Sequence, residues 1–299
     1  GPHDAAQVVR YAVPFEPGQS VLDGLRWVRA HVDPSLAFRY SCINANACKE
    51  CMMQLDGEVI YACTARLVPG EMHLAPLGNQ TLTISNGSTT YGGVIGGTGG
   101  VTLTAGTLTL AGNNTYFGAT TINGGTLALQ GGSIFSSQVN LANAAGTFDI
   151  SGAFGATGIQ GLNGVANSHV TLGSNTLNLN GCCTNYAGII GGTGGLTANN
   201  VFTYTLSGVN TYTGATTINA GTLLLSGSGS IASSSQVNLA SGGSTFDIST
   251  TTAGATVKTL NGVAGSTVAL GNKTLTLSNG STTFAGNFTS GIGGITLNG

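Results

Sequence analysis

Six cysteines stand in this chain of 299 residues, and four of them, Cys42, Cys48, Cys51 and Cys63, are separated by five, two and eleven residues. Three cysteines on one loop with a fourth at a distance are what a [2Fe-2S] cluster requires: four thiolates converging on two irons, with the loop wrapped around them. Backbone N–H groups must point at the sulfurs, which favours small residues between the ligands, and Asn44, Ala45, Asn46 and Ala47 fill that stretch. The chemistry such a site supports is one-electron transfer. A structural zinc site or a set of disulfides uses the same residue type, and the spacing alone leaves those alternatives open.

The remaining reactive side chains read as structural. Cys182 and Cys183 are adjacent and stand where other copies of the same stretch have Gly87-Ser88 and Gly280-Ser281, so they belong to a turn. His31, His73 and His169 have no nucleophile or carboxylate at triad-like spacing and are expected on the surface. Asp149 and Asp247 occupy equivalent TFDIS stretches. One Asp per hundred residues is too few oxygens for Ca²⁺, and both are read as turn or edge residues. GGTGG at Gly96 and Gly191 lacks the Lys-Ser/Thr of a phosphate loop and is read as turn glycine. No catalytic residue is assigned.

The elements that must hold the cysteines lie in a segment unlike the rest of the chain. All six prolines, the single Trp27 and 14 of the 18 charged residues fall in residues 1–76, whereas the 223 residues from Leu77 onward hold 45 of the 50 glycines and four charges. Two domains are expected, 1–76 and 77–299. In the first, Ser20 is placed to cap a helix over Val21-Leu22-Asp23-Gly24-Leu25. A formal charge of -2 argues against nucleic acid or anionic lipid as partner. No apolar run is long enough to span a bilayer, and the sequence as read shows no signal peptide.

The second segment repeats itself. NTYFGATTINGGTLAL at 114–129 returns as NTYTGATTINAGTLLL at 210–225, and SSQVNLANAAGTFDIS at 136–151 returns as SSQVNLASGGSTFDIS at 234–249. The offsets of about 95 to 98 residues divide it into 77–171, 172–269 and a partial 270–299. Short runs such as Thr107-Leu108-Thr109-Leu110 alternate polar and apolar residues, the period of a half-buried strand, and Asn-Gly or Gly-Gly pairs close them. Strands this short and this regularly interrupted, recurring with the same residues, fit a right-handed parallel β-helix, or β-solenoid, of nine to eleven coils. A sandwich or barrel fits less well.

Both segments resemble known families. GGTGG followed by an alternating strand, then TLTLAGNNTYFGATTINGGTLAL from Thr107, resembles the autotransporter-associated β-strand repeat of bacterial passenger domains. That resemblance covers nearly all of 77–299 and implies a secreted or surface-displayed solenoid acting as stalk, scaffold or adhesin, with no active site and no cofactor. Phe38-Arg39-Tyr40-Ser41-Cys42, Cys48-Lys49-Glu50-Cys51 and Ala62-Cys63-Thr64 resemble the N-terminal domain of the iron-sulfur subunit of succinate dehydrogenase and fumarate reductase. The match covers about residues 8–77 and implies a ferredoxin-like (β-grasp, α+β) fold, with Cys42, Cys48, Cys51 and Cys63 as ligands to the iron of a [2Fe-2S] cluster. Its first gap is five residues where the family has four, and the family's second domain is absent from the sequence.

The two halves belong to different compartments, because clusters are assembled in the cytosol while passenger solenoids mature outside it. Three readings follow. The chain is mainly a secreted or surface-exposed structural or adhesive solenoid. Alternatively it is an electron-transfer protein, cytoplasmic or membrane-peripheral, forming an electron-transfer part of a succinate dehydrogenase/fumarate reductase-like oxidoreductase with a redox partner. The last reading is an artificial fusion without joint function. Unpaired strand edges at a solenoid end also predict end-to-end self-association into fibres.

Overall fold

A computed structural model describes residues 9–34, 36, 52–56, 58–75, 81–86, 88–182, 184–280 and 283–298. The chain divides into two compact units, Gly1–Gly78 and Asn79–Gly299.

In the first unit, helix α1 (Val21–His31) starts at a capping box. Ser20 Oγ accepts from the Asp23 N–H at 3.2 Å, and Asp23 Oδ2 accepts from the Ser20 N–H at 2.9 Å. The Ser20 N–H, and after it the Ser20 hydroxyl donating to Asp23 Oδ2 at 2.7 Å, hold the Asp23 carboxyl below the usual carboxylate range. A three-stranded antiparallel sheet places β1 (Met52–Leu55) between β2 (Glu58–Tyr61) and β3 (Leu74–Ala75). Val21 and Leu22 pack with Met53, Ala62 and Cys63 into a small core.

The second unit is a parallel β-solenoid. Each coil visits up to three faces in a fixed order. The first face is an eleven-stranded sheet running from Leu82–Ile84 to Asn287–Ser290. The second is a six-stranded sheet from Thr89–Tyr91 to Ile189–Gly191, whose position is taken in the last coils by Ala255–Val257, Thr274–Leu277 and Gly294–Leu297. The third carries Asn113–Asn114 and Ser133–Ile134 in early coils and a six-stranded sheet from Thr157–Ile159 to Leu260–Gly262 thereafter. Ahead of any bulge, register partners on the first face lie from 19 residues apart (Val101 and Thr120) to 23 (Val139 and Leu162). Ten steps of about 4.8 Å make the stack roughly 48 Å long.

Burial alternates as the strand period requires. In Val101–Leu103 the two apolar residues point inward and Thr102 outward, and the same pattern recurs in Val139–Leu141, Leu177–Leu179 and Val237–Leu239. Inward Leu, Ile and Val from successive coils join one continuous core with Phe148, Phe246, Tyr116, Tyr186, Tyr204 and Tyr212.

The repeat in the sequence and the turn of the solenoid do not coincide. Thr120–Ile122 lies on the first face, but its counterpart Thr216–Ile218 lies on the third; Gly125–Gln130 lies on the second face, and Thr222–Gly227 on the first. Likewise Thr157–Ile159 lies on the third face and Ala255–Val257 in the second position. Four full coils separate Thr120 from the first-face strand at Thr203, and two further faces lead to Thr216. One sequence repeat therefore makes four and two-thirds turns, and every motif moves one face round between copies.

Candidate functional site

Cys63 is the one proposed iron ligand within the described residues, and it is buried, with 2% of its surface exposed. It sits in a tight turn after β2, where the N–H groups of Thr64 and Ala65 donate to the Tyr61 carbonyl at 3.0 and 2.9 Å. The first turn of α1 locks this turn in place. Its N–H groups, which have no partner inside the helix, donate outward: Val21 to the Ala65 carbonyl at 2.8 Å and Leu22 to the Ala62 carbonyl at 2.7 Å. Leu67 N–H donates to the Gln19 carbonyl at 2.9 Å on the other side. A sulfur fixed by its backbone and shielded by Val21, Leu22 and Met53 fits a resident thiolate ligand, because both reorganisation and water access are small. Cys42, Cys48 and Cys51 lie outside the described residues.

The other reactive groups are dispersed. His31, His73 and His169 are exposed, and His31 stacks on Trp27 with ring centroids 5.0 Å apart. Cys182 is exposed in a bend, and Cys183 lies outside the described residues. Among the described residues no three His, Cys, Asp or Glu side chains gather to hold a metal. Asp149 and Asp247 are neither turn nor edge residues. Each lies inside a sheet, where its Oδ1 accepts the N–H two residues on (Ser151 and Ser249) at 2.8 Å, and the register with the preceding strand shifts just beyond it. The Asp side chain supports a β-bulge.

Sequence reasoning missed the polar groups that tie the coils together. Asn114 is buried, with its Oδ1 accepting from Ile95 N–H and its Nδ2 donating to the Gly112 and Ser133 carbonyls. Asn210 makes the equivalent bonds to Ile190, Gly208 and Ser230. Two residues on, the buried hydroxyls of Tyr116 and Tyr212 lie 2.6 Å from Thr120 Oγ1 and Thr216 Oγ1. Burial pushes Tyr116 up to about 12 and Tyr212 higher still. The signal was the verbatim return of Asn-Thr-Tyr.

Comparison with known proteins bears on both units. Residues 105–129 and 203–225, which contain these Asn-Thr-Tyr segments, match the model of the passenger-associated-transport-repeat. Two stretches of the solenoid thus resemble passenger-type repeats. Residues 1–84 match the model of the 2Fe-2S iron-sulfur cluster binding domain. The fumarate reductase iron-sulfur subunit of Mycobacterium tuberculosis is 35% identical over 72 residues, 23% of this chain and 29% of that protein. The fumarate reductase iron-sulfur subunit of Haemophilus influenzae is 35% identical over 71 residues, 23% of this chain and 27% of its own. One subunit of the fumarate reductase (CoM/CoB) of Methanothermobacter marburgensis is 35% identical over 60 residues, 20% and 12% of the two chains. The chain thus spans less than a third of the length of these relatives. No solved structure matches.

These likenesses support a [2Fe-2S] cofactor for the first unit and a passenger-like solenoid for the second. No helix among the described residues is long and apolar enough to cross a membrane. The relatives give no support to the expectation of end-to-end fibres.

Proposed function

We propose that the chain acts mainly as a secreted or surface-exposed structural and adhesive β-solenoid, with residues 1–76 forming a ferredoxin-like domain ahead of repeats at 77–171, 172–269 and 270–299. The observation that carries this reading is that the passenger-type motif supplies the residues that join one coil to the next. A stack closed by uncharged hydrogen bonds and one apolar core forms coil by coil, which suits a chain that folds after export. The test is labelling of intact source cells with antibody against the solenoid. Surface signal before permeabilisation is expected, and signal only after permeabilisation would overturn it.

The fumarate reductase subunits favour a second reading for the first unit, electron transfer to a redox partner. Cys42, Cys48, Cys51 and Cys63 would hold the cluster, which when bound supplies one-electron transfer. Cys63 contributes a thiolate whose position is set by the α1–turn lock and whose surroundings exclude water. Anaerobic purification of the full chain with visible absorption of a cluster and about two irons per chain supports this reading. An iron-free protein that resists reconstitution rules it out.

A further inference from the structure

The two full repeats build the same coil around Gly131 and Gly227, at φ 74° and 59°, yet the surface beside them differs. In the first copy the ring of Phe154 stands over Gly131, with Cε2 2.6 Å from where a Cβ would lie. In the second copy Thr252 takes the place of Phe154, nothing lies within 4 Å of the same point at Gly227, and a cleft of about 430 Å³ opens there. It is lined by Ser228, Ser230, Thr252, Thr256, Thr274 and Thr276 among small residues; Ser228 Oγ donates to the Ser207 carbonyl at 3.2 Å and Ser230 Oγ accepts from the Ala232 N–H at 3.3 Å.

Two lysines flank this cleft, and they are the only cationic side chains after residue 76 apart from histidine. Lys273 Nζ donates to the Thr252 carbonyl at 3.1 Å, and Lys258 Nζ to the Ser233 carbonyl at 2.9 Å, next to Ala232 of the wall. The first copy has Asn175 and Gln160 at these positions. Asn175 secures the corresponding loop by donating to the Ile150 and Ala153 carbonyls at 2.8 and 3.0 Å. The loop needs a donor there and has one without a charge. Folding therefore accounts for neither the open cleft nor the two cations.

We infer that this cleft binds a sugar carrying a negative charge. The volume suits a ligand of one or two sugar rings. Hydroxyl walls both donate and accept, as a polyol does, and each ammonium keeps N–H groups for an acidic substituent. The inference does not depend on where the chain is displayed.

The test is titration of the full chain with glucuronate, glucose 6-phosphate and glucose, followed by ligand-observed NMR. Saturable binding of at least one acid is expected, with glucose about tenfold weaker for want of the charge-assisted bonds; which acid binds identifies the acidic group. K258Q/K273N, which restores the residues of the first copy, abolishes the preference for the acid. T252F, which restores the aromatic ring, weakens all binding, and circular dichroism confirms that both variants keep their β-structure. Binding of neither acid at tens of millimolar, glucose equal to the acids, or an unchanged preference in K258Q/K273N would overturn the inference.

Discussion

Asn114 touches three coils at once. Its side chain accepts from Ile95 below, donates to Gly112 in its own coil at 2.7 Å and to Ser133 above at 3.1 Å. Replacing it by Ala would take the partner from the Ile95 N–H, while the Gly112 carbonyl keeps the Ser133 N–H at 3.3 Å; one unsatisfied buried group costs about 1–3 kcal/mol. Asn114→Ala and Asn210→Ala are therefore each expected to lower stability by about 1–3 kcal/mol, measurable by urea denaturation; a loss below about 0.5 kcal/mol would show that water replaces the side chain. The buried tyrosines give a pH signature. Burial lifts Tyr116 and Tyr186 to about 12, against about 10 in the unfolded chain. The folded state holds these protons more tightly, so their contribution is complete below pH 10 and is lost as pH rises to 12. Each accounts for on the order of 2–3 kcal/mol, and alkaline unfolding of the solenoid should fall in that window. Repetition made these residues visible in the sequence, but not their reach, because partners about 19 residues away in both directions depend on coil length.

Local elements were legible where their chemistry is local. Ser20 reads as an N-cap from its residue type ahead of Val21-Leu22, and the structure adds the reciprocal bond from Asp23 that completes a capping box. Ser20→Ala should cost the first unit about 1 kcal/mol. The depressed Asp23 carboxyl contributes its stability above the unfolded value near pH 4 and loses it as pH falls further, so the effect of Ser20→Ala should shrink in acid. What the sequence did not show is that the same helix turn offers its N–H groups to Ala62 and Ala65, on a turn about 40 residues away. Asp149 was misplaced for a related reason: a bulge inside a sheet and a turn at its edge use the same side-chain bond to the second N–H along. Between coils, the motif glycine of Asn-Thr-Tyr-x-Gly meets its neighbour closely, and a Cβ on Gly214 would run into the Gly194 carbonyl. Gly214→Ala should lower the thermal midpoint, by overpacking of about 1–3 kcal/mol.

At the scale of the chain, composition revealed two units and the offsets revealed a repeat, yet neither revealed the face on which a motif lands. Coil lengths from 19 to 23 residues blur the turn within a repeat of about 96, and only the pairing register resolves it. The register also predicts what can be removed. Thr120 pairs with Val101 on the first face, so deletion of residues 101–119 takes out one coil and brings Thr120 to the place Val101 held. That variant should keep its β-sheet circular dichroism and a cooperative melt, whereas deletion of ten residues within the same coil should abolish both.

The fractional turn has a consequence for valency. A site recurring once per sequence repeat would face three directions in three successive copies. Only the fourth would share the bearing of the first, fourteen coils and about 67 Å further along. Duplicating a repeat therefore does little to bring a second grip to bear on a flat target, and avidity toward such a target must come from neighbouring chains. Duplication instead spreads binding sites evenly around the axis, which suits capture of ligands arriving from any side.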